Sequence, residues 1–144
     1  MSASSNGRGK RRPRKPAVTL FMDRSLGKSL PLAVGLLPRV KVVRLHDVFG
    51  NDGQHVEDVT WLAEAGAKGW PVFTQDARVW KNLDERAALL EHGVRVFCLG
   101  MQQSTNAQKG IVYGRHILPI LRRAQKPGPC FWRLYPERVD KVLR

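Results

Sequence analysis

The sequence predicts an α/β fold around a mainly parallel sheet of four to five strands. Three observations predict it. Short apolar, β-prone runs finish on polar residues, segments with apolar side chains at helical spacing separate them, and the two kinds alternate along the chain. Such alternation is what right-handed strand-helix-strand crossovers require. At 144 residues the chain is long enough to bury a core of its own.

Val18 to Met22 is an apolar run ending at Asp23, as expected of a central parallel strand. Leu30 to Leu37 follows as a short helix, with Pro31 in its first turn and Pro38 closing it. Val40 to Leu45 supplies a second strand that finishes on His46 and Asp47, and Phe49 to His55 is a turn rich in Gly, Asn and Asp. From Asp58 to Ala67 a small-residue helix places Val59, Leu62 and Ala63 on one face and ends at Gly66 and Gly69. The strand from Pro71 to Phe73 then delivers Thr74 and Asp76.

Asn82, with Glu85 three residues on, resembles a capping box. It opens a helix through Leu89 and Leu90 that stops at Gly93, and Val94 to Leu99 is the fourth strand. Ser104 or Thr105 caps a longer helix whose apolar positions are Ala107, Ile111, Leu118 and Leu121, weakened at Gly110, Gly114 and Pro119. Cys130 to Tyr135 reads as an edge strand or an aromatic strip, and residues 139–144 carry no strong signal. The division that follows is a disordered basic tail over 1–16, a core over 17–100, and an extension of the same domain over 101–144.

Lys and Arg total 25 against 12 Asp and Glu, a formal net charge of +13. Six of those charges lie in the tail, and removing them still leaves +7 on the body. An excess of this size points to a polyanionic partner, with nucleic acid foremost. Cys98 and Cys130 are too few for a disulfide framework or a zinc site, and they suit reduced thiols in a cytoplasmic protein. No apolar run approaches the roughly 20 residues of a membrane helix, and the basic N-terminus lacks the apolar segment of a signal peptide.

Asp23 and Asp76 follow strands, and Asp58 opens a helix that returns over the same sheet edge. Ligands of open α/β sheets bind beyond the carboxyl ends of strands. Three carboxylates gathered there repel one another unless a cation is present, and Mg²⁺ or Mn²⁺ is the class that carboxylate oxygens suit. An aspartate after a strand also serves as a plain turn cap. His46, His55, His92 and His116 show no metal-ligand spacing, and no phosphate-binding glycine loop or nucleophile elbow occurs.

The residues that carry a family likeness are D-x-x-W-L-A-x-A from Asp58, the glycine turn, and V-F-T-Q-D ending at Asp76, preceded by VTLFMDRSLG. Together they resemble the PIN domain, and in particular a shortened PIN-like branch associated with VapC-type toxins. LPLAVGLLPRVKVVRLHDVF and ERAALLEHGVRVFCL have counterparts there too. The likeness covers Val18 to Leu99. It implies a three-layer PIN-like sandwich and a Mg²⁺- or Mn²⁺-dependent ribonuclease, with Asp23, Asp58 and Asp76 as metal-binding and catalytic acids. The helix that bears a fourth acid in longer relatives is nearly absent, so Asp47 stands in for it, with Asp52 and Glu57 behind. Arg78 occupies a place where many relatives add an acid.

Arg24, Lys28, Arg78 and Lys81 lie on loops at the same edge, as RNA phosphate contacts. Trp80 is a candidate base-stacking or packing residue, and Thr74 a candidate for steadying the loop. The implied partners are RNA, a cognate antitoxin and a second copy of the chain, with no membrane. Two rival readings stand beside the nuclease. One is a non-catalytic nucleic-acid- or protein-binding module on the same scaffold. The other is a receiver-like domain phosphorylated at Asp76, which wants paired acids after the first strand.

Overall fold

A computed structural model describes residues 18–50, 56–101 and 104–144. The basic tail, and with it Asp52 and His55, lies outside the described residues. Six strands form one sheet: β1 (Val18–Met22), β2 (Val40–Arg44), β3 (Val72–Thr74), β4 (Arg95–Leu99), β5 (Cys130–Leu134) and β6 (Val139–Leu143). Their spatial order is β2-β1-β3-β4-β5-β6, parallel throughout except for the β5 and β6 pair.

Because side chains alternate across a strand, apolar strands buried on both faces feed two cores. Leu20, Met22, Phe73, Phe97, Leu99 and Trp132 face one side, where α1 (Ser29–Val34) and α6 (Asn106–Ala124) cover them. Phe21, Val72, Val96, Cys98 and Phe131 face the other, beneath α2 (Leu45–Phe49), α3 (Asp58–Lys68), α4 (Arg78–Lys81) and α5 (Leu83–Glu91). The result is a three-layer sandwich. Its turns use the residues that their geometry demands: Gly69, at φ 71° and ψ 30°, ends α3 in the left-handed region that side chains resist. No helix among the described residues is long and apolar enough to cross a membrane.

The structure departs from the sequence expectations in four places. The sheet has six strands instead of four to five, because residues 139–143 add an antiparallel edge. That strand is half-exposed and carries Asp140 and Lys141, so it shows no apolar alternation, and charge of this kind protects an edge from further pairing. Short helix α2 takes up Leu45, His46 and Asp47, expected at the end of the second strand, and α4 fills a stretch expected as loop.

α3 buries Trp61, Leu62 and Ala65 and leaves Val59 38% exposed, in place of the Val59, Leu62, Ala63 face. The indole decides this rotation by stacking on Phe21, at 5.4 Å between ring centroids. α6 likewise turns inward Lys109, Val112, Tyr113, Ile120 and Ala124, while Ile111 and Leu118 are 57% and 65% exposed. Its N-terminus is capped by Thr105 reciprocally with Gln108, and the helix continues through Pro119.

Candidate functional site

β2 lies on one side of β1 and β3 on the other, so the chain reverses its direction across the sheet between β1 and β3. A crevice forms beyond the carboxyl ends of the strands at such a switch point. Asp23 and Asp76 follow those two strands.

Asp23 is buried, at 5% exposure. Its Oδ1 accepts the Ser25 amide at 3.1 Å and the Ser25 hydroxyl, and its Oδ2 accepts the Thr74 hydroxyl at 2.7 Å. Each hydroxyl has one proton to give, and both are aimed at this carboxylate. The oxygens of the same hydroxyls then accept backbone amides, Ser25 Oγ from Gln75 at 2.9 Å and Thr74 Oγ1 from Asp76 at 3.0 Å. The ends of β1 and β3 are thereby tied into one network. Burial pushes the Asp23 carboxyl up to about 6; the Ser25 and Thr74 donors oppose the rise and the Asp58 charge adds to it.

Asp58 opens α3, where the helix dipole favours a negative charge. It accepts the Trp61 Nε1 proton at 2.8 Å, and it is among the groups that influence the Asp23, Asp76 and Glu85 carboxyls. Asp76 receives a fork from Arg78, with Nε at 3.0 and 3.1 Å and Nη2 at 2.7 Å, plus the Arg78 amide at 2.9 Å. Burial pushes the Asp76 carboxyl up, but the Arg78 donors and charge outweigh it and hold the group below its ordinary value. The same pairing raises the Arg78 guanidinium.

Glu85 is a member of the group that the sequence reading assigned elsewhere. Asn82 caps α5 by accepting the amides of Asp84 and Glu85, while the Glu85 side chain turns toward Asp58 and Asp76. Its Oε1 is buried without a hydrogen-bond partner. Burial first, then the hydrogen bond and charge of Asp58 and the charge of Asp76, push its carboxyl up to about 8, with Arg78 opposing.

Asp47, the expected fourth acid, is committed to a different task. It accepts the Arg44 amide at 2.8 Å in the cap of α2 and stands beside Arg44 and His46, 46% exposed. Its charge is not among the principal influences on Asp23, Asp76 or Glu85. Glu57 is the exposed N-cap residue of α3 and makes no side-chain cap bond.

Of the expected phosphate contacts, Arg78 and Lys81 line a cleft of about 400 Å³ together with Ser25, Gln75, Asp76 and Ala77. Arg24 is exposed and donates to the Val56 carbonyl at 3.3 Å, and Lys28 is exposed at the start of α1. Trp80 packs instead of offering a free face: it stacks on Phe131 at 5.2 Å, with the Arg86 guanidinium 4.5 Å from its ring. Two further residues escaped the sequence reading. Ser25 sits two positions after Asp23, the spacing of a turn hydroxyl that bonds back. Lys109 is buried on α6, with Nζ donating to the Leu26 carbonyl at 3.2 Å, and so anchors the turn that carries Ser25.

Residues 18–101, more than half of the chain, match the family model described as PIN like domain. The chain belongs to the PIN-like domain family. A protein of Mycobacterium tuberculosis named "Putative ribonuclease VapC45" is 30% identical to this PIN-like domain in an alignment 128 residues long that covers 86% of this chain and 91% of that protein. No solved structure matches the chain. This PIN-like domain is related to VapC-type ribonucleases.

The donor set of the PIN-like domain fits a hard divalent cation in kind, since it consists of carboxylate oxygens. The buried Glu85 Oε1, which has no hydrogen-bond partner, is an oxygen that a cation could satisfy. Yet among the described residues no three His, Cys, Asp or Glu side chains stand close enough together to hold a metal ion. Asp76 is instead turned into the Arg78 fork.

Proposed function

We propose that this chain is a Mg²⁺- or Mn²⁺-dependent endoribonuclease that hydrolyses RNA phosphodiesters, with Asp23, Asp58, Asp76 and Glu85 as its acid set. The observation that carries the reading is Glu85: a buried carboxylate oxygen with no partner, beside two further acids, at the strand-end crevice of a PIN-like sheet. Glu85 takes the place first given to Asp47. When bound, a divalent cation supplies charge stabilisation at the phosphate and lowers the pKa of a water.

The chain's own residues do the rest. Ser25 and Thr74 fix the orientation of the buried Asp23 carboxylate at the end of β1, and Asp58 stands in the first turn of α3. Arg78 and Lys81, with Arg24 and Lys28 on neighbouring loops, hold the RNA backbone against an otherwise repulsive acidic hole. The relationship to VapC-type proteins extends the proposal to a toxin held in check by an antitoxin partner. Toxicity on expression, relieved by co-expression of the neighbouring gene, is the observation that would support it.

The test is cleavage of end-labelled single-stranded RNA in Mg²⁺ or Mn²⁺ against chelator. Asp23→Asn, Asp58→Asn, Asp76→Asn and Glu85→Gln should each lower the rate by at least about 100-fold, the usual weight of a catalytic proton-transfer or charge-bearing group. Unchanged rates in all four variants would dismiss the reading. A second reading, a binding module without catalysis, draws on the Arg78 fork and on the absence of three convergent ligands among the described residues. It expects RNA binding that weakens steeply with salt and no cleavage under any metal.

A further inference from the structure

We propose that Arg78 is the resident counter-cation of the acid cluster: its guanidinium holds Asp76 until a divalent cation displaces it, and then takes a phosphate of the RNA. This rests on the nuclease reading above and adds to it the regulation of metal entry.

Four hydrogen bonds run from Arg78 to the Asp76 carboxylate. Nε and Nη2 of Arg78 together engage both oxygens of Asp76, and the Arg78 amide adds a further bond to Oδ1. A bidentate, charge-assisted pair of this kind fixes the carboxylate's orientation as well as its charge. With Asp76 held in this fork, no three acids among the described residues stand close enough to share a metal ion. Bringing Asp76 into a shared ligand set therefore means breaking the fork.

The two partners differ sharply in access. The Arg78 side chain is 76% exposed and that of Asp76 is 16% exposed, so the cation lies on the solvent side of the acid it covers. An exposed arginine is the half of the pair that can leave, because water resolvates it at little cost. Its departure leaves the Asp76 carboxylate without its counter-charge, which a proton or another cation must then supply.

A released Arg78 does not leave the site. It lines the same cleft as Lys81, Ser25 and Gln75, and its fork matches a phosphate as well as it matches a carboxylate. One residue thus guards the acids in the metal-free protein and grips the substrate in the loaded one.

The experiment is calorimetric titration of Mn²⁺ into the full-length, chelator-stripped protein and into Arg78→Gln and Arg78→Lys. Arg78→Gln should bind Mn²⁺ about two- to fivefold more tightly than the unsubstituted protein, the scale of one exposed ion pair. Arg78→Lys, which keeps the charge and loses the fork, should fall between the two. In parallel, Arg78→Gln should raise the KM for RNA. Equal or weaker Mn²⁺ binding by Arg78→Gln overturns the proposal, and if the unsubstituted protein still cleaves RNA the nuclease reading survives that result. If neither protein binds Mn²⁺, both fall.

Discussion

Thr74 and Asp23 are joined by a hydrogen bond of 2.7 Å from Thr74 Oγ1 to Asp23 Oδ2, and the same hydroxyl oxygen accepts the Asp76 amide at 3.0 Å. One buried hydroxyl therefore positions two of the acids at once.

Thr74→Val keeps the shape of the side chain and removes both bonds. Leaving buried Asp23 one donor short should cost about 1–3 kcal/mol, read by denaturant unfolding. Since the Thr74 donor lowers the Asp23 carboxyl, its loss should carry that group above about 6, and the acid limb of the cleavage profile should move to higher pH. Thr74→Ser should restore both properties.

The pH dependence of stability follows from Glu85. Its folded carboxyl sits near 8 against an ordinary 4.5, so the folded protein holds the proton more tightly than the unfolded chain does. Stability from this group is complete below about 4.5 and is lost as pH rises through about 8. In chelator, Glu85→Gln should therefore melt above the unsubstituted protein at pH 8, with the gap closing as the pH falls to 4.5.

Asp47 and Glu85 separate the two candidates for the fourth acid. Asp47→Asn should weaken the cap of α2 by no more than about 2 kcal/mol and leave RNA cleavage near its normal rate. Glu85→Gln should leave folding intact at neutral pH and lower cleavage by at least about 100-fold. Parallel unfolding and cleavage measurements on the two variants distinguish them.

The α6 faces can be tested by stability alone. Ile120, fully buried, should cost about 2–5 kcal/mol on truncation to Ala. Leu118→Lys, at a position 65% exposed, should stay within about 0.5 kcal/mol of the unsubstituted protein. The reverse order would restore the face that apolar spacing alone suggests.

What the residues declare in advance follows from where burial is symmetric. β1, β3 and β4 are apolar on both faces, and their continuous runs, with Asp23 and Asp76 at the ends, are visible as text. On α6, apolar spacing finds Leu121, which packs against the core, but misplaces Ile111 and Leu118, because the buried face includes Lys109 and Tyr113, whose polar tips reach the carbonyls of Leu26, Thr74 and Phe97. Apolar counting discards such side chains although their stems are buried. β6 carries too little apolar alternation to announce itself. Glu85 was hidden by local chemistry: three residues after Asn82 it matches a capping box, and only the packing of α5 beside α3 turns it toward Asp58.

The most direct test of the acid cluster as a cation site is anomalous diffraction from crystals soaked in Mn²⁺. A single strong peak is expected in contact with carboxylates of Asp23, Asp58, Asp76 or Glu85, with the Arg78 guanidinium turned away from Asp76. An intact Arg78 to Asp76 fork with no peak among those acids would contradict it.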